Sequence, residues 1–329
     1  MGPFLLVAAI ALATSFGSVR IPALSIFSIL LGKLQDVPDS WLLIFWKLRL
    51  PRVLSAAMVG GTLAVGGVAC QGLFRNPLCE PYLLGISSGA ALGASIAIIF
   101  FSAAGAVGLG AIGFAAFIGA LMVTLAVFIA AGKRAFRLPS TLLLSGIAIA
   151  FLCQALIWLL MTLNRDQVER ITIWTLGSLS SAGWSRVIWL AATTLPTSLL
   201  LAAMGRIMDV LSTGYSSAHG LGLHPQRMAI IILALTAFGT SAAVAVAGSI
   251  GFIGLMVPHV ARLLGGPSHR PLILRSWFGG AILLVVADLA ARSVNPPGEI
   301  PVGIITALIG APFLLILAKG RNTEGRLDG

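Results

Sequence analysis

Lys47, Arg49 and Arg52 crowd three cations into the stretch FWKLRLPRVL (45–54), at the point where a long apolar run begins. Ammonium and guanidinium groups so spaced bind carboxylates or phosphates by charge and forked hydrogen bonds; they break no bonds. Two uses are open to them: snorkelling to lipid phosphates, or meeting an acidic partner. Asp288 is the one acidic residue inside an apolar run, and Arg292 follows it at i+4. That spacing makes an ion pair on one helix face, although a carboxylate in such a place is also the usual seat of proton coupling. Glu80 lies in NPLCEP, where Pro77 and Pro81 mark the end of one helix and the first turn of the next. Its carboxylate is therefore expected beside a helix start, where the dipole favours it.

Catalytic constellations are missing from the sequence. Gly132-Lys133 lacks both the leading glycine and the following Ser or Thr of a phosphate-binding loop, and there is no HExxH, GxSxG or usefully spaced carboxylate pair. His219, His224, His259 and His269 share no ligand spacing and are expected in polar loops on one side. Cys70, Cys79 and Cys153 form no CxxC; Cys70 and Cys153 fall in apolar runs, as small packing residues do. An enzyme, a resident metal and a cofactor are all unexpected.

The elements that must position these residues follow from composition. Of 329 residues 58% are hydrophobic and 9% charged, and mean hydropathy is +1.03. About a quarter of residues must be charged to cover a water-facing surface, so an all-α polytopic membrane protein is predicted. Ten apolar runs fall at 4–19, 53–74, 83–101, 108–131, 140–162, 187–205, 228–247, 250–264, 272–292 and 301–318, each read as a span. The first lacks a basic n-region and reads as a span, not a signal peptide. The net charge of +11 is scattered through loops, so nucleic acid is not an expected partner. A modest excess of the 21 Lys and Arg residues lies on the side of the termini, which predicts both termini in the cytoplasm. Lys47, Arg49, Arg52 and Arg292 then face outward, as does the loop 163–186. The loop 206–227 faces inward, and its middle, Ser216–Leu223, is expected to form a short helix broken by glycines. LAVGGVACQGLFRNPL (63–78) echoes AVAGSIGFIGLMVPHV (245–260), which suggests that spans 2–5 and 7–10 are inverted repeats. In GISSGAALGAS (85–95) the small residues Ser87, Ser88 and Gly89 either pack tightly or line a wide passage.

RLPRVLSAAMVGGTLAVGGVACQGLFRNPLCEPYLLGISSGAALGA (49–94), AVAVAGSIGFIGLMVPHVARLLGGPSHRPLI (243–273), EIPVGIITALIGAPFLLILAK (299–319) and GSVRIP (17–22) together resemble the permease (FecCD-type) family of importers for iron chelates, haem and vitamin B12. These are type II ATP-binding-cassette importers. Cys79 departs from the small residue usual at its position. The resemblance implies a homodimer of ten-span subunits, two separate ATPase subunits carrying ATP and Mg on the cytoplasmic side, and a binding protein delivering substrate from outside. By the same resemblance Arg49, Arg52 and Arg292 match docking arginines, with Lys47 as a helper. Ala218, His219, Gly220, Leu221 and Gly222 match the ATPase-coupling segment, and Pro139, Ser140 and Thr141 match an inner gate region. Ferric siderophore, haem and cobalamin all suit these motifs, an iron chelate being the broadest class. A secondary transporter using Asp288 is the alternative.

Overall fold

The computed structural model describes residues 2–17, 19–32, 37–102, 109–132, 139–294 and 298–324, all helical or irregular, with no strand among them. Helices α1 (Gly2–Ser15) and α2 (Ala23–Leu30) precede a short α3 (Asp39–Leu43), which runs through a π-helical stretch, Ile44–Arg49, into α4 (Leu50–Phe74). A 3-10 turn (Pro81–Leu84) leads to α5 (Ile86–Ser102), α6 (Leu109–Ala131), α7 (Pro139–Leu163) and the short α8 (Val168–Thr175). Then come α9 (Trp184–Ala203), α10 (Gly205–Ser212), α11 (Tyr215–Gly220), α12 (Pro225–Ala247), α13 (Ile253–Gly265), α14 (His269–Ser293) and α15 (Val302–Glu324). Each of the ten apolar runs lies on a helix. Six helices are long and apolar enough to cross a membrane alone, while α1, α5, α13 and α15 carry shorter apolar stretches.

Helix α4 is the central post: 94% of its apolar window is buried, against 22% for α7. Its sequence explains this. Small residues recur on every side of it, and neighbouring backbones come within touching distance. A Cβ at Gly60 would overlap the carbonyl of Gly280 in α14, and one at Gly67 the carbonyl of Gly254 in α13. The same device joins α5 to α6, where Gly89 sits against the carbonyl of Gly119.

The cation stretch is not the loop end that the sequence suggests. Asp39–Phe74 is one continuous helical rod, and Lys47 and Arg49 lie within it. Pro51 has no N–H to donate, and the wider π turn just before it accommodates the gap. In the π register the orphaned acceptor is the carbonyl of Trp46. The indole of Trp184, in the first turn of α9, donates to it at 2.9 Å.

A second proline is managed the same way. Pro258 leaves the carbonyl of Gly254 without its i+4 donor inside α13. The buried amide of Gln71 in α4 donates to Gly254 (3.2 Å) and Leu255 (3.4 Å), and its oxygen accepts from Arg262 at 3.0 Å. Gln71 thus fastens α13 to the post. Both shorter inner helices, α5 and α13, are entered through residues of positive φ, Gly85 and Phe252. The two halves match in this respect.

Candidate functional site

The candidate side chains gather at the two ends of α4. At the first end, α1 stops and its last carbonyls need donors. Arg49 supplies them to Thr14 (2.7 Å) and Ser15 (3.0 Å), and Arg292 to Ala13; Arg49 also donates to Val19, beyond the helix end. Cations at a helix C-terminus also suit its dipole. A Cβ on Gly17 would strike both guanidinium groups, which gives the glycine of GSVRIP its reason. Arg49 and Arg292 are consequently buried, 5% and 7% exposed, where the sequence reading expects surface residues.

Arg52, one turn on, is the principal partner of Asp288. Its Nη2 lies 2.8 Å and its Nε 3.0 Å from the carboxylate, and its Nη1 lies 2.8 Å from Glu299. Arg292, the partner that helical spacing predicts, stands further off at 3.6 Å. Asp288 is 1% exposed, whereas Glu299 is open to solvent. Lys47 is exposed on the rod. With three guanidinium groups against two carboxylates, the cluster keeps a positive balance. Glu299 is the member sequence reasoning missed; nothing local relates it to a residue so distant in the chain.

At the other end, Arg75 donates to the carbonyl of Leu211 (3.1 Å), bringing α10 and α11 under the post. Asp209 of α10 accepts from the backbone N–H of His269 (2.9 Å) and lies 2.7 Å from its ring. His269 therefore opens α14, and His259 lies within α13 beside Phe313, not in loops as expected. The α11 turn ends in a Schellman motif: Gly222 has φ +79°, its N–H bonds His219 (2.9 Å), and Leu223 bonds Ala218 (3.2 Å). Ala218 is buried and anchors the turn, while His219, Gly220, Gly222 and Leu221, the last 70% exposed, form a projecting tip. The expected short helix is present but lies at Tyr215–Gly220, because Gly214 and Gly222 bracket it.

The remaining expected residues are scattered. Ser88 bonds the carbonyl of Gly85 at 3.1 Å, the Ser87 hydroxyl is buried without a partner, and Gly89 is used in packing. Thr141 is half-buried in the first turn of α7; the side chain of Ser140 and residues 133–138, with Lys133, Arg134 and Arg137, lie outside the described residues. Glu80 makes no helix-capping bond. Its carboxylate turns to the backbone of Phe252, at the break before α13, and one oxygen is left unpaired. Cys70, Cys79 and Cys153 are buried free thiols.

The model of the FecCD transport family matches residues 5–319. The chain belongs to that family. It is a multi-pass membrane permease of FecCD type and not an enzyme. The hemin transport system permease protein HmuU of Yersinia pestis is 41% identical over 316 residues, 95% of this chain and 93% of that one. The cobalamin import system permease protein BtuC of Halobacterium salinarum is 41% identical over 288 residues, 88% of this chain and 76% of that one. Among solved structures, an inward-facing conformation assigned to a metal-chelate type ABC transporter superposes with a TM-score of 0.85 at 29% identity, covering 97% of both chains.

Proposed function

We propose that this FecCD-type chain is the permease subunit of an ATP-binding-cassette importer that moves a bulky metal chelate inward by alternating access. The chelate is a ferric siderophore, haem or cobalamin, with an iron chelate first among them. The family match over nearly the whole chain carries the reading, and the shape of the two ends supports it. The chain forms a single permease domain in the cytoplasmic membrane of a bacterium or archaeon, with both termini cytoplasmic, its spans 2–5 and 7–10 related as inverted repeats, and a second copy completing the pathway. The 206–227 segment is the cytoplasmic coupling loop. Its apolar Leu221 tip enters a groove on each of two ATPase subunits, which hold ATP and Mg. The opposite end, with the 163–186 loop, receives a substrate-binding protein whose carboxylates meet Lys47 and Arg52 directly. Arg49 and Arg292, already bonded to α1, add to the attracting field. The gate lies near Ser87, Ser88, Ser140 and Thr141. Asp288 is held by Arg52, so the ion-coupled alternative loses the free Asp288 carboxylate on which it rests.

The test is ATP-driven uptake in proteoliposomes containing this chain, its ATPase and its binding protein, with labelled ferric siderophore, haem and cobalamin. Uptake of one ligand, lost in the Arg52→Glu and Lys47→Glu variant and recovered by reversing acidic residues on the binding protein, is the expected result. Uptake that persists without the ATPase would sink the importer reading. Uptake that survives the charge reversal at physiological salt would sink the docking assignment alone.

A further inference from the structure

A cleft at the Arg49 end is lined by Arg186, a cation that pairs with no carboxylate among the described residues. It consists of two adjoining cavities of about 460 and 250 Å³, both bordered by Ser181, Arg186 and the end of α12. Its position follows from Trp184, two residues before Arg186, which bonds the rod at Trp46. Among the described residues no Asp or Glu lines either cavity. Arg186 donates to the hydroxyl of Ser181, and among the described residues no carboxylate pairs with it. It also sits in the first turn of a 20-residue helix, the positive end of the dipole, where a cation is disfavoured. Such a placement is stabilised by an oxyanion.

The rim of the larger cavity has the opposite character. Phe114 of α6 and Trp189 of α9 border it and are 61% and 36% exposed. Both belong to spans that bury only 33% of their apolar windows within the chain, leaving an open apolar face of the kind acyl chains cover. An oxyanion site inside and an apolar, lipid-facing wall outside match an amphiphile. We propose that this cleft binds an anionic phospholipid, with Arg186 and the hydroxyls of Ser181 and Ser185 holding the headgroup phosphate and Phe114 and Trp189 lying along the chain. The proposal is independent of what the permease carries. Free phosphate presents the same oxyanion without the apolar stem, so the two sources are separable.

The full-length permease in neutral detergent would be titrated with dioctanoyl phosphatidylglycerol, dioctanoyl phosphatidylcholine and inorganic phosphate, with tryptophan fluorescence as the readout, since Trp174 and Trp189 line the cleft. The expected result is a saturable response to phosphatidylglycerol that weakens about tenfold in Arg186→Gln, the loss of one charge-assisted contact. Phosphatidylcholine and inorganic phosphate should produce far weaker responses. Equal affinity for the two lipids, or an unchanged affinity in Arg186→Gln, overturns the proposal. Inorganic phosphate binding as well as phosphatidylglycerol overturns the lipid assignment in favour of a free anion. If Arg186→Gln does not fold, native mass spectrometry of the wild type and of the Ser181→Ala, Ser185→Ala variant takes its place. Preferential retention of phosphatidylglycerol by the wild type, reduced in the variant, supports the site; equal retention of both lipids removes it.

Discussion

Asp288 shows what one buried carboxylate can hold. It fixes Arg52 through three contacts of 2.8–3.0 Å and faces Arg292 as well. Removing it leaves the buried Arg292 without its carboxylate and Arg52 with the solvent-edge Glu299 alone, and breaking a buried pair from one side typically costs about 3–5 kcal/mol. Asp288→Ala should therefore lose that order of stability, read as a lower melting temperature of the detergent-solubilised permease by fluorescence-detected size exclusion. Glu299→Gln, at the solvent edge of the same arginine, should cost less than about 1 kcal/mol. Equal losses would show that Asp288 is not the anchor. The sequence reading pairs Asp288 with Arg292 because i+4 neighbours on a helix are the partners a linear string reveals. Arg52, separated from it by 236 positions, is invisible to that rule. Burial hides the rest: an arginine bonded to a helix end and one waiting for a partner look alike as letters.

At the scale of elements, most of the architecture is legible, because a helix in lipid must be apolar along its length and the runs mark it out. Continuity is not legible. Pro51 and three cations suggest a chain leaving the membrane, but a π turn and a borrowed indole donor keep the rod intact. Contacts between rods depend on which glycine faces which. Gly67→Ala should destabilise the fold by about 1–3 kcal/mol, since its methyl group would meet the carbonyl of Gly254 and not a yielding side chain. Gly220→Ala, with open space around it, is the control and should be neutral. Gln71→Leu should cost about 1–3 kcal/mol by leaving the Gly254 carbonyl unpaired beside Pro258. Both losses are measurable by the same thermal assay. Leu221→Asp should leave melting unchanged but abolish co-purification with the ATPase. Retained co-purification would disconnect this tip from coupling.

The whole molecule has two unlike ends joined by α4: a positive cluster at one and an apolar tip at the other. A field made by charges that are mostly buried acts at a distance more than by touch. Association of a binding protein with the Arg49 end should therefore slow as ionic strength rises through the range where the Debye length falls from about 10 Å to about 3 Å. Stopped-flow association rates independent of salt would contradict that picture. The same cluster has a consequence in time. Its bonds join residues 236, 247 and 279 positions apart. A ribosome adding roughly 5–20 residues per second needs on the order of 12–50 s to travel from Arg52 to Asp288. Through that interval the first helix has entered the bilayer with the carbonyl that Arg292 later caps still bare, and Arg52 has no carboxylate to neutralise it. The nascent chain therefore has a long window in which its opening segment is unsecured, and the late arrival of α14 closes it. Chains halted before α14 should be the ones that quality-control proteases remove.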